Sequence, residues 1–228
     1  MFTVRRFLAG FLFALVCLAA AGCASDPDEG TNGVGTLPPR TIEKRARAAA
    51  ESADAVHLSG TVAGKRARYR LDMRLRHDGG LGRVTTKDST FELLRVGDEL
   101  YLKAGADFYG AGVGGELEGK YVKVPTDDPA YQQFSGLTDK DVLLKDLFVL
   151  DGDLAAGDHR SVAGVRSIAV TGDGGTLDVS LEGRPYPLRY ERAGDAGTLT
   201  LTDWGKPFEL RAPQGADVVD YGRQISAD

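Results

Sequence analysis

The chain has 228 residues, enough for one domain or one domain with a tail, with 28 basic residues, 33 acidic ones and a net charge of −5. An acidic chain is no candidate for non-specific nucleic-acid binding. Two cysteines and three histidines leave little material for disulfides or a metal centre.

The first element is an export signal. Arg5 and Arg6 precede an apolar run, FLAGFLFALVCLAAA, from Phe7 to Ala21. The run stops at Ala20-Ala21-Gly22-Cys23, and polar sequence begins at once. A basic start, an apolar middle and small residues before a cut mark a secretory signal peptide. The run is short of the ~20 residues of a membrane span and has no charged stop behind it. Its small-small-Gly-Cys end resembles a bacterial lipobox, with Ala20 where leucine is usual. The resemblance implies that residues 1–22 are removed and that Cys23 receives a diacylglycerol thioether. The membrane is then the first partner, and the protein sits on the extracytoplasmic face of the cell membrane. Removal leaves 206 residues with a net charge of −7, because Arg5 and Arg6 leave with the signal. Cys17 leaves too, so an acylated Cys23 leaves no free thiol.

Residues 23–37 are polar and Gly-rich and read as a flexible tether. The domain proper is expected from 38 to 228. Pro39 can start a helix, and Ile42, Ala46, Ala49 and Ala53 recur at three- and four-residue steps, predicting a thin-faced helix over 39–53. In RARYRLDMRLR (66–76), Ala67, Tyr69, Leu71, Met73 and Leu75 alternate with charged residues, so one strand face is buried and one is wet. Turn residues then separate strands at 81–86, 90–96, 99–103 and 120–124. A Gly-rich loop occupies 105–119, with room for one helical turn. Thr138-Asp139-Lys140-Asp141 matches a capping box and predicts a helix over 138–150, with Leu143, Leu144, Leu147 and Leu150 on one side. Strands are expected again at 159–162, 166–171, 176–182, 188–191, 197–202 and 207–211. The pattern predicts an α+β fold with a large antiparallel sheet of about eleven strands.

Catalytic and metal-binding patterns are missing from the sequence. His57, His77 and His159 are far apart, with no HExxH pair and no Cys/His spacing. Asp151-Gly152-Asp153 begins like a calcium loop but lacks the later ligands, so a surface turn is expected. The loop from Gly110 to Gly115 lacks the Lys-Ser/Thr of a phosphate loop and reads either as a mobile loop or as a flap. Asp127, Asp128, Asp139 and Asp141 read as helix caps. No metal or cofactor is expected. Arg66, Arg68, Arg70, Arg74 and Arg76 form a charged stripe. They read either as a solvated strand face paired with acids such as Asp88 and Glu92, or as a landing patch for anionic headgroups.

Three segments carry a family resemblance: LLRVGDELYLKAG (93–105), GKYVKVP (119–125) and LTLTDWGKPFELRAPQGADVVD (199–220). Together they resemble the LppX/LprG-type lipoproteins of actinobacteria, which belong with the LolA/LolB-like lipoprotein carriers. The resemblance covers roughly residues 41–221. It implies a strongly curved antiparallel sheet, a half-barrel whose concave face is covered by helices. An apolar cavity between them would hold the acyl chains of a lipid or glycolipid. The cavity face would be Tyr69, Leu71, Met73, Leu75, Phe91, Leu177, Val179, Leu181, Leu199 and Leu201, and the helices at 39–53 and 138–150 would cover it. The alternation fits a solid core equally well. Three functions therefore stay open: a monomeric lipid-binding or lipid-transfer lipoprotein, an anchored interaction or sensor protein with a closed core, and, furthest from the pattern, a hydrolase.

Overall fold

A computed structural model describes residues 28–64, 67–109 and 114–220. The expected signal peptide, Cys23, Arg66 and residues 110–113 of the Gly-rich loop lie outside them.

One twelve-stranded sheet dominates. Its strands are β1 (Ala55–Ala63), β2 (Arg68–Arg76), β3 (Gly79–Thr85), β4 (Thr90–Val96), β5 (Glu99–Ala104), β6 (Tyr121–Val124), β7 (Ala155–Val162), β8 (Val165–Gly172), β9 (Gly175–Ser180), β10 (Pro187–Arg192), β11 (Gly197–Thr202) and β12 (Val218–Asp220). The spatial order is β12-β6-β5-β4-β3-β2-β1-β11-β10-β9-β8-β7. The sheet is curved and unclosed. Every neighbouring pair is antiparallel except β12 with β6, which is parallel. The half-barrel expectation holds, with one strand more than predicted and a mixed rather than purely antiparallel sheet.

Three differences explain the count. β1, between helix and arginine strand, was not expected. β12 adds a three-residue edge. The strand expected at 207–211 is instead an extended strap that crosses the outer face without joining the ladder. Pro207 and Pro213 lack the N–H that a ladder needs. The strap is held face-on: Arg76 donates from Nη1 to the Phe208 carbonyl at 3.2 Å, and its guanidinium lies 5.7 Å from the Phe208 ring centroid. Arg76 also clamps Asp78, and this charge-assisted hydrogen bond holds the Asp78 carboxyl below the usual carboxylate range. Leu94 and Tyr101 point to the outer face yet are buried. Burial, followed by its bond to Glu99, pushes the Tyr101 hydroxyl up to about 12.

The helices are α1 (Pro39–Glu51), α2 (Ala106–Tyr109), α3 (Gly114–Leu117), α4 (Pro129–Ser135) and α5 (Lys140–Leu147). Pro39 stands in the first turn of α1, and Ile42, Ala46, Ala49 and Ala50 are its buried face. Asp128 caps α4, accepting from the Ala130 amide, and Asp139 caps α5, accepting from the Asp141 and Val142 amides. The cap of α5 thus falls one residue after Thr138. That threonine is fully buried and is spent elsewhere: its hydroxyl donates to the Ser135 carbonyl and accepts from Arg95 Nε. Asp141 is no cap either; it pairs with His77 and Lys140.

The described part of the expected tether, 28–37, is a packed strap. The Asn32 amide donates to the Leu181 carbonyl at 2.8 Å, and Asn32 Nδ2 donates to the carbonyls of Ser180 and Gly183. Val34 is buried. The Asp28 carboxylate lies 3.1 Å from His159 Nε2, and Arg166 donates to the carbonyls of Glu29 and Gly30. Composition misled here because backbone and side-chain hydrogen bonds, with Val34 as a single apolar anchor and Leu37 beside the core, hold so polar a segment.

Candidate functional site

The concave face is built by alternation along β2. Leu71, Met73 and Leu75 point inward and are buried, while Arg70, Asp72 and Arg74 point outward and are exposed. Register carries the inner face across the sheet: Leu71 lies opposite Val84 and Met73 opposite Gly82, and Val84 in turn lies opposite Phe91. Beyond β1, Leu199 and Leu201 of β11 and Leu177 and Val179 of β9 continue it.

Nine of the ten residues expected on this face, all but Tyr69, belong to one buried apolar cluster, and Tyr69 packs against its edge. The fold brings these nine together on one inner face. Their burial is nearly complete: Met73, Leu75, Val179, Leu181 and Leu199 are 0% exposed. Met73 packs closely against the neighbouring strand. Gly82 presents no side chain, and a Cβ at that position would stand 2.6 Å from the Met73 sulfur. The thioether fills the notch that the glycine leaves.

The cover differs between the two halves. Over β8, β9 and β10 lies α1, whose small alanine face lets it approach closely. Over β4 lies an aromatic cluster that sequence reading did not find. The Phe91 ring is 5.2 Å from Phe108 of α2 and 5.3 Å from Phe134 of α4, and Phe108 meets Tyr109 edge-on at 5.4 Å. Burial raises the Tyr109 hydroxyl above its ordinary range. Tyr190, also raised by burial, donates from β10 to the carbonyls of Val149 and Gly174, tying down the chain after α5.

Two buried cations pin α5, and neither residue type announces burial in a sequence. Arg95 reaches from β4 to Thr138 Oγ1, the Thr138 carbonyl and the Asp139 carboxylate, each at 3.2 Å. Lys140 is 0% exposed, and its Nζ donates to the Ala50 carbonyl at 3.1 Å and the Glu51 carbonyl at 2.9 Å. These are carbonyls at the end of α1, where a cation suits both the orphan acceptors and the helix dipole.

The outer face is polar. A groove of about 550 Å³ lies on it, lined by Asp72, Arg74, Arg83, Glu92, Tyr121 and Arg211 among others. The arginine stripe behaves only partly as a paired strand face. Glu92 pairs with Arg83 of β3 rather than with the stripe, Arg68 donates to the Asp195 carbonyl, and Arg76 holds Asp78 and Phe208. Arg70 and Arg74 are exposed, with no ion pair among the described residues.

Each histidine meets one aspartate: His57 with Asp72, His77 with Asp141 and His159 with Asp28. His57 also lies 3.4 Å from Thr202 Oγ1, a hydroxyl–imidazole–carboxylate row. The Asp72 side chain is 69% exposed, so water screens the charge that such a row would need. Among the described residues no group of His, Cys, Asp or Glu is placed to hold a metal ion. No helix among them is long and apolar enough to cross a membrane.

Among solved structures, LprF from Mycobacterium bovis superposes with a TM-score of 0.57 at 18% identity, covering 78% of this chain and 97% of that one. LppX, a lipoprotein of Mycobacterium tuberculosis, gives a TM-score of 0.47 at 16% identity, covering 76% of this chain and 98% of that one. No protein-family model matches the chain, and no curated protein does. The fold is therefore of the LppX/LprG type, as the hairpin and turn segments implied.

Proposed function

We propose that this protein is an exported lipoprotein, anchored through Cys23, that carries a lipid or another hydrophobic ligand between its curved sheet and its helices, without catalysis. The observation that supports carriage most is the continuous apolar concave face of an unclosed sheet, covered over β4 by rings on two short helices. Tilted rings in van der Waals contact part at small cost compared with a hydrogen-bonded ladder, so an acyl chain would enter beside Phe91, Phe108 and Phe134. Buried apolar contact holds such a ligand without directional bonds, which suits flexible chains of varied length.

One observation favours a second reading, an anchored interaction protein with a filled core: the same inner residues are almost completely buried. The two readings share the anchor and differ in uptake. In cells, Cys23→Ala should abolish incorporation of a radioactive fatty acid, and undiminished labelling would remove the anchor from both. The purified wild type should take up a fluorescent acyl chain; a wild type that never does so leaves only the second reading.

A further inference from the structure

The packed strap limits how an anchored molecule can stand. Only four residues lie between Cys23 and Asp28, so the two are at most about 18 Å apart along an extended chain. Asp28 is already held by His159, and four residues later Asn32 bonds to Gly183 in the turn between β9 and β10. That turn carries Tyr186, whose ring stacks on Trp204 at 5.0 Å and 4°. Trp204 is the one tryptophan of the chain. Its Nε1 donates to the Pro187 carbonyl, its body packs against the core cluster, and both it and Tyr186 are half-buried.

We infer that the end of the half-barrel bearing Tyr186 and Trp204 is the membrane-docking face, with the two stacked rings at headgroup level. The inference rests on the anchoring of Cys23 proposed above. Tryptophan and tyrosine suit the bilayer interface because each joins an apolar ring to a polar handle. The charges around them are largely compensated: Arg166 pairs with Glu182 and Lys206 with Asp203, while Arg184 reaches the Tyr186 hydroxyl. The partner is therefore the phospholipid interface itself, and docking does not depend on anionic lipid. The turn joining β3 to β4, with Lys87, lies at the opposite end of the strands, about 30 Å away for a nine-residue strand.

The full lipidated protein is reconstituted into phosphatidylcholine vesicles, plain or brominated on the acyl chains, and separated by flotation. Trp204 emission should fall by about half in brominated vesicles and shift to the blue. In the Trp204→Phe, Lys87→Trp variant, which moves the single reporter to the far end, emission should not change. Protein that floats with Trp204 unquenched, or with both reporters quenched alike, overturns the orientation and leaves the anchor standing. Protein that carries no diacylglycerol by mass and stays in the supernatant overturns the anchor and the inference with it.

Discussion

Met73→Gln will abolish uptake of a fluorescent acyl chain while the protein still folds. Met73 lies mid-strand on the concave face, wholly buried, with its sulfur in the notch at Gly82. Glutamine has nearly the same length, so the change is one of polarity rather than volume. An amide buried there finds no partner among Leu71, Leu75 and Leu93, and such burial costs about 1–3 kcal/mol in proteins. In the ligand-free molecule this should lower the melting temperature by roughly 2–12 °C, since about 1 kcal/mol moves a domain of this size by 2–4 °C. An acyl chain entering beside it would meet an unpartnered amide where the wild type offers a thioether, and uptake should fall at least tenfold. Binding and melting, measured side by side on wild type and variant, separate the two effects. Unchanged uptake in a variant that folds would place the ligand away from β2.

Lys140→Met will cost more stability than any surface substitution on this protein. The methionine nearly matches the lysine stem in volume but removes both bonds to the last carbonyls of α1. The Ala50 carbonyl then keeps only backbone amide donors such as Ala53 at 3.2 Å, and the part-buried Glu51 carbonyl loses its charged donor, a loss of about 2–3 kcal/mol. The expected drop is about 4–12 °C in melting temperature. The effect should reach α1 and α5 together, because Lys140 ties the start of α5 to the end of α1, as Arg47 ties α1 to the Phe148 carbonyl at the other end of α5. Hydrogen exchange of the Ala50–Ser52 amides should accelerate with that of α5. A variant that melts with the wild type would show that packing alone sets the helix pair.

The features read correctly from sequence were those with a local period or a local cap. The alternation at 68–76 placed Leu71, Met73 and Leu75 on one face because a strand has no other way to satisfy it. Asp128 and Asp139 cap helices because a short carboxylate before a helix accepts amides that nothing else can. Features that depend on distant partners were not legible. Phe208 and Leu210 alternate with Glu209 and Arg211 like a strand, yet they lie on a sheet face instead of an edge. β1 was missed because Gly60 interrupts the apolar alternation of Val56, Leu58 and Val62, and β12 because three residues are too few for any period. The burial of Lys140 and Arg95 has no signal in the sequence, because charge normally stays wet. Their burial follows from the carbonyls of α1 and the loop at Thr138, which no local pattern reveals.

Native mass spectrometry of the purified lipidated protein, gently ionised with its ligand retained, tests carriage most directly. A carrier should show a second species above the folded chain by the mass of one lipid, exchangeable with an added acyl-chain probe and absent from Met73→Gln. A wild type that appears only as the bare folded chain, and that takes up no probe at any concentration, would contradict carriage.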